Sequence, residues 1–303
     1  MSAVLDHVIA SIGQASGAHA EAARARVAGA GAPMLERLAA RLAGAQHTSR
    51  PRGERRVICV VLADHAAGDP GIVLGADHPT IVAARAIADG SAALAHLARA
   101  AHTPIVMVDA GARERTHVPS IAVAVDAVHA VAQLEAGIAL AVSLAEGDPP
   151  LAAIALGALG VGSELASAAV LGAVTGVAPT GLGDPEAEAA GARAAAQRPA
   201  SALDLAGPDA GVLVGLILGA ASMNVAVVLD GHVTGTAALI AAQLAPAATG
   251  YLVAAHRGNF TMPRALAHLG IEPVFDLGLG HGEGAGGAMI LPLVDQVASL
   301  VRE

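Results

Sequence analysis

Apolar positions recur at two different spacings along this chain, and the change between them divides it. Through about Ala45, Ala, Leu, Val and Ile alternate with Glu, Arg and His at helical spacing, which predicts two or three amphipathic helices. A break follows at Ser49-Arg50-Pro51-Arg52-Gly53. Beyond it, short β-branched runs alternate with longer alanine-rich segments. The order is VICVVLADH, a helical stretch over Thr80 to Ala101, PIVMVDAG, a helical stretch over Ala124 to Ala145, AAIALGALGVGS, NVAVVLDGHVTG, GYLVAAHRG and EPVFDLGLGHGEG. The alternation predicts an α/β fold, a Rossmann-like open parallel sheet flanked by helices. The last segment, Ala288 to Val301, reads as a closing helix. Most of the apolar runs end in Gly together with Asp, His, Ser or Glu. Ligands bind outside the carboxyl ends of strands in such sheets, so these endings should converge on one cleft.

Composition narrows the picture. Hydrophobic residues make up 54% of the chain and aromatic residues only 1%, so Ala, Val, Leu and Ile must fill the core, with backbones in close approach. Ala210 to Leu229 carries no charge and is about long enough to span a bilayer. The interruption at Ala221-Ser222-Met223-Asn224 favours a buried helix followed by a strand, and no membrane association is expected. The start, MSAVLDHVIASIG, lacks the features of a secretory signal, and the single cysteine, Cys59, sits in an apolar run where a buried thiol is expected. A cytoplasmic location follows as an expectation.

Charge and residue content exclude some chemistries. A net charge of −9, no Trp, one Tyr and two Phe leave neither a basic footprint nor a stacking platform, so nucleic acid is not expected as a partner. There is no lysine among the 303 residues, which excludes a Schiff-base or P-loop lysine. No HxH or HExxH spacing supports a metal, and no cofactor is expected.

Six segments carry candidate chemistry. Asp64 and His65 close the first strand, where they could orient a ligand or bind a metal, or simply cap the next helix. In GALGVGSELASAAVLGAVTG, Gly160 and Gly162 would let backbone amides approach a phosphate at a helix start, with Ser163 beside them. Glu164 in that first turn suits the helix dipole but repels a phosphate. PTGLGDPE, with Gly181 and Gly183, is a second cradle or only a loop. Asp230 and Gly231 end another strand, and His256 and Arg257 a further one, where Arg257 could pair with an anion or stay solvated. In DLGLGHGEGAGG, Glu283 lies between Gly282 and Gly284, either as a general base that a substrate can approach closely or as a cap of the final helix.

Taken in order, these motifs resemble the nicotinate-nucleotide:dimethylbenzimidazole phosphoribosyltransferases of cobamide lower-ligand assembly. The resemblance runs from about Val57 to Val297 and rests on LADHAAGDPG, DGSAALAHLAR, LGALGVGSELASAAVLGAVTG, PTGLGD, VVLDGHVTGTAALIAAQLAP, AAHRG and DLGLGHGEGAGGAMILPL. It implies an α/β domain over 46–287, and a small helical subdomain made of 1–45 with 288–303 returning to it. It also implies a dimer, of this chain with itself or with a family member, and a pentosyltransferase acting in cobalamin biosynthesis. Its substrates are a nucleotide and an azole base. Glu283 corresponds to the family's glutamate base. The glycine turns match those that hold the nucleotide phosphate, and Asp64, His65, Thr80, Ser163, Asp230, Gly231, His256, Arg257, Gly282 and Gly284 fall at positions expected to bind substrate.

Departures from the family pattern are equally specific. Where the family reads Gly-Glu-Met-Gly-Ile-Gly-Asn-Thr-Thr, this chain has Gly157-Ala158-Leu159-Gly160-Val161-Gly162-Ser163-Glu164-Leu165. The family's serine and glutamine near the base fall on Val73 and Val82, and a serine after the histidine pair falls on Gly258. The lysine after the second glycine turn has no counterpart. Either the acceptor has become more apolar, or the chain has lost activity and serves as a subunit or ligand-binding protein. An active enzyme must still supply phosphate donors, from backbone amides with Arg193 or Arg257.

Overall fold

The structure is a computed structural model, and it describes residues 2–65, 77–111, 121–124, 130–197, 201–276, 278–280 and 282–303. The N-terminal helices are α1 (Ala3–Ser11), α2 (Gly17–Val27) and α3 (Pro33–Ala45). Ser2 and Ser16 cap the first two, each side chain accepting a backbone N–H, and Pro33 opens the third, where its missing donor costs nothing. The alternating region then runs β1 (Arg56–Ala63), α4 (Pro79–Ala88), α5 (Ala93–Ala100), β2 (Ile105–Gly111), β3 (Ile121–Ala124), α6 (Ala130–Ala145) and β4 (Ala153–Leu159). It continues with α7 (Ser163–Thr175), α8 (Pro185–Gln197), α9 (Pro208–Ser222), β5 (Ala226–Leu229), α10 (His232–Leu244), β6 (Leu252–His256), α11 (Met262–Leu269), β7 (Pro273–Phe275) and α12 (Ala285–Arg302).

All seven described strands join one parallel sheet in the order β3-β2-β1-β4-β5-β6-β7. The chain winds outward from β1 in one direction and from β4 in the other, so the topological switch point lies between these two strands. Their register, Arg56 opposite Ala153 through Leu62 opposite Leu159, brings Asp64 and Gly160 together just past the carboxyl ends.

Two of the expected helices need correction. The stretch from Thr80 to Ala101 is two helices, because Gly90 at φ +85° turns the chain and the Asp89 carboxylate accepts the Ser91 N–H. Residues 79–100 are long and apolar enough by composition to cross a membrane, but the break divides them. The stretch from Ala124 to Ala145 begins with the last residue of β3, and its described helix is Ala130–Ala145. The uncharged run after Ala210 is the buried helix α9 followed by β5, as its interruption indicated.

One continuous apolar core runs from Leu5 of α1 to Val301 of α12, with a small second cluster of Leu171, Leu239 and Ala265 where α7, α10 and α11 meet. The terminal helices meet: α12 packs against α2 and α3, and the Arg26 guanidinium donates to the Val301 carbonyl. With few aromatic side chains, density comes from backbone contact, most closely between α6 and α9. A Cβ on Gly215 would lie 2.0 Å from the Leu134 carbonyl oxygen, and one on Gly137 2.1 Å from that of Val212. Gly215→Ala is therefore expected to destabilise the protein by about 1–3 kcal/mol from overpacking, despite the roughly 1 kcal/mol that alanine gains in helix propensity. A lowered urea midpoint would show it; an unchanged one would mean that the two helices separate freely.

Cys59 lies at the centre of β1, fully buried, and burial pushes its thiol up to about 12. The native protein is expected to resist a thiol reagent such as dithionitrobenzoate at neutral pH, and to react with one equivalent once unfolded. Rapid native labelling would contradict this burial.

Candidate active site

Three strand ends and one helix start build the site. Asp64, at the end of β1, accepts the Thr80 hydroxyl at 2.5 Å and the Val161 N–H at 3.0 Å, so its carboxylate ties α4 and the first glycine turn to the switch point. Gly160 is required there because a Cβ would fall 1.6 Å from the Ala63 carbonyl oxygen. Beyond it, α7 begins at Gly162, and among the described residues no hydrogen bond engages the N–H groups of Gly162, Ser163 or Glu164. These amides form the donor-rich helix start expected of an anion cradle.

The second fixed point is Asp230, fully buried at the end of β5. One oxygen lies 2.5 Å from His256 Nε2, and the other accepts the N–H groups of Gly286 and Gly287 at the start of α12. Since His256 Nδ1 accepts the Gly258 N–H, the proton resides on Nε2 and is donated to Asp230. Gly258 holds φ +64°, and a Cβ on it would lie 2.8 Å from Met262 Cγ. Thr234 locks the same strand end, accepting the Asp230 N–H and donating to the Gly231 carbonyl.

This clamp places the turn that carries Glu283. The Gly282 carbonyl accepts the Ala158 N–H, and the turn passes directly over Gly157 and Gly231, where a Cβ would come within 2.5 Å of Glu283 backbone or 2.3 Å of Gly282. Glu283 is half-buried and faces a cavity of about 150 Å³ bounded by Ala158, Gly160, Glu164, Asp209 and His232. No protein hydrogen bond holds its carboxylate among the described residues. A larger cleft of about 480 Å³ opens at the amino ends of β6 and β7, away from the carboxylates at the carboxyl edge of the sheet, so the smaller cavity is the candidate for the transfer chemistry.

Two histidines near this cavity are driven in opposite directions. Burial pulls the His65 pKa down, but the Asp209 carboxylate, 3.1 Å from Nε2, outweighs it and, with Glu164 and Asp64 adding to the effect, sets His65 above its ordinary value. Burial holds His232 below its ordinary value, and His65 adds to this while Glu164 and Asp209 oppose it. The site thus pairs a readily protonated imidazole with a neutral one, the latter bonded to Ser163 Oγ at 2.9 Å.

Most sequence-identified residues converge here: Asp64, His65, Thr80, Gly160, Gly162, Ser163, Asp230, Gly231, His256, Gly282, Glu283 and Gly284 all lie at the carboxyl edge near the switch point. Arg257 does not. It is exposed and faces Asp276 at 3.5 Å, because it lies one residue past β6, whose five residues are all buried. Arg193 is exposed on α8. Gly181 and Gly183 lie in the loop between α7 and α8 and do not line the cavity. There the Leu182 N–H is taken by Glu188, and the Thr180 carbonyl accepts from Arg264. Val73 lies outside the described residues, and Val82 is exposed on α4. Asp209 and His232 escaped the sequence reading. The available signal was a lone acid opening the apolar helix α9, and a histidine directly after Asp230-Gly231.

A family model described as Phosphoribosyltransferase matches residues 12–303. A nicotinate-nucleotide–dimethylbenzimidazole phosphoribosyltransferase from Roseiflexus sp. (strain RS-1) is 32% identical over 341 residues, covering 99% of this chain and 95% of that protein. One of the same description from Deinococcus radiodurans is 32% identical over 309 residues, covering 89% of this chain and 83% of the relative. The crystal structure of CobT from Thermus thermophilus superposes with a TM-score of 0.78 at 25% identity, over 94% of this chain and 96% of that one. The chain belongs to the phosphoribosyltransferase family that contains the nicotinate-nucleotide–dimethylbenzimidazole phosphoribosyltransferases.

Proposed function

We propose that this protein transfers the phosphoribosyl group of nicotinate mononucleotide to a benzimidazole-like base, giving an α-ribazole phosphate-type product for cobamide assembly. The observation that carries the reading is the position of Glu283. It is a carboxylate without a protein partner among the described residues, on a backbone turn clamped over the ends of β4 and β5, facing the switch-point cavity. One azole nitrogen attacks the anomeric carbon, the bond from that carbon to the pyridinium nitrogen breaks with its electron pair passing to nicotinate, and Glu283 takes the proton from the other azole nitrogen. The leaving group departs neutral at its ring nitrogen, so a single base is sufficient.

In this reading the amides at the start of α7 receive the phosphate, with His65, held above its ordinary pKa by Asp209, as the neighbouring group that can carry positive charge where Arg193 and Arg257 do not reach. Ala158 and Leu159, in place of the family's glutamate and methionine, favour a more apolar acceptor. With the reading go a dimeric assembly, a cytoplasmic location and function without a bound cofactor. Incubation with nicotinate mononucleotide and dimethylbenzimidazole, followed by chromatography, should yield free nicotinate and the ribazole phosphate together.

A second reading rests on the same substitutions at Ala158, Val82 and Gly258: a subunit that turns over nothing alone and pairs with an intact family member. Product formed only in a mixture with such a relative would select it. Nicotinate release by this chain by itself would eliminate it.

A further inference from the structure

We propose that the cleft between α2, α3 and the amino ends of β6 and β7 is a binding site for an organic anion, separate from the transferase cavity. The cleft has a volume of about 480 Å³, within the range of small-molecule sites. Its walls reverse the sign of the chain. In a protein of net charge −9, three arginines converge on it, Arg37 and Arg41 one helical turn apart on α3 and Arg24 from α2, against one carboxylate, Glu272.

The pairing of these charges is incomplete. Arg24 reaches Glu21 at 3.1 Å, and Arg37 reaches Glu272 at 3.3 Å, both pairs at the solvent edge. Arg41 has no carboxylate partner among the described residues. Its guanidinium makes one hydrogen bond, to the Thr249 carbonyl at 3.2 Å, and burial holds its pKa below the ordinary arginine value. A guanidinium offers five donors in a fork suited to carboxylate or phosphate, and this one leaves most of them unused beside a cavity. The same cleft is lined by Met34, Leu38 and Ile271, so its interior suits an apolar body. The chemistry it would recognise is a carboxylate or phosphate monoester attached to a ring or chain.

Met34 provides the reporter, since it is one of six methionines and lies on the cleft wall. The full-length protein, labelled with ¹³C at the methionine methyls, would be titrated with benzoate, phenyl phosphate and inorganic phosphate. Benzoate or phenyl phosphate is expected to shift the Met34 resonance saturably, and the tighter of the two identifies the anionic group. Arg41→Gln should weaken that binding by about tenfold or more, the loss expected for a charged hydrogen bond. If Arg41→Gln does not fold, Arg24→Gln at the rim carries the same test with a smaller expected loss. Three results would overturn the proposal: no shift at Met34 at millimolar probe, shifts at Met262 near Gly258 without any at Met34, or affinity unchanged in both arginine variants. Inorganic phosphate binding as tightly as phenyl phosphate would overturn the requirement for an apolar body.

Discussion

Replacing Glu283 with glutamine is expected to lower kcat for nicotinate release by roughly 10²- to 10⁴-fold, the usual contribution of a positioned general base. The substitution keeps size and shape but cannot accept the azole proton. It should leave the fold intact, because the Glu283 side chain makes no hydrogen bond to the protein among the described residues, and the turn is held through backbone contacts at Ala158, Gly157 and Gly231. KM should change little, while the urea midpoint stays at the wild-type value. Glu283→Asp gives an internal control: it retains the base but withdraws it by one methylene, and misplacement on that scale costs up to about 10²-fold. Equal kcat values for the wild type and Glu283→Gln would sink the assignment. A coincident fall in stability would mean that the glutamate serves as a cap of α12 instead.

The largest stability effect is expected at Asp230. Its carboxylate is fully buried and serves three donors at once: His256 Nε2–H and the N–H groups of Gly286 and Gly287. Asp230→Ala strands all three, and the expected cost is on the order of 3–5 kcal/mol, a large share of the roughly 5–15 kcal/mol available to a typical domain. Asp230→Asn should recover little. An amide oxygen can accept from α12, but its NH₂ then faces the Nε2–H of His256, whose tautomer is fixed by the Gly258 N–H at Nδ1. Urea titration should show a much lower midpoint with an unchanged slope for both variants. A shift worth less than about 1 kcal/mol would mean that the clamp contributes no more than an ordinary hydrogen bond.

Much of this arrangement is legible in the residues themselves. The apolar runs name the longer strands, and the polar groups that follow them, Asp64, Asp230 and His256, mark the carboxyl edge because parallel strands end there together. Asp89-Gly90 is a turn signal inside an alanine-rich run whose composition suits helix throughout, so the helical pattern masks the break. Arg257 shows the opposite case: it follows a run of five buried strand residues and, as the first charged residue past the strand end, sits exposed. The contact of Asp209 with His65 is not readable in sequence, since 144 positions separate them and only the return of α9 onto the switch point joins them. Nor does sequence order reveal that the loop of Gly181 and Gly183 closes on Glu188.

The left-handed backbone at Gly258 bears on what else this position can hold. A serine there would carry its Cβ to within 2.8 Å of Met262 Cγ and adopt a backbone conformation that side chains resist. Met262 must first give way to a smaller residue, and that change opens a void behind Gly235, whose own Cβ position lies 2.5 Å from the Met262 sulfur. A side chain at position 258 is therefore reached only by at least two substitutions with a destabilised intermediate, so the glycine is entrenched by its neighbours.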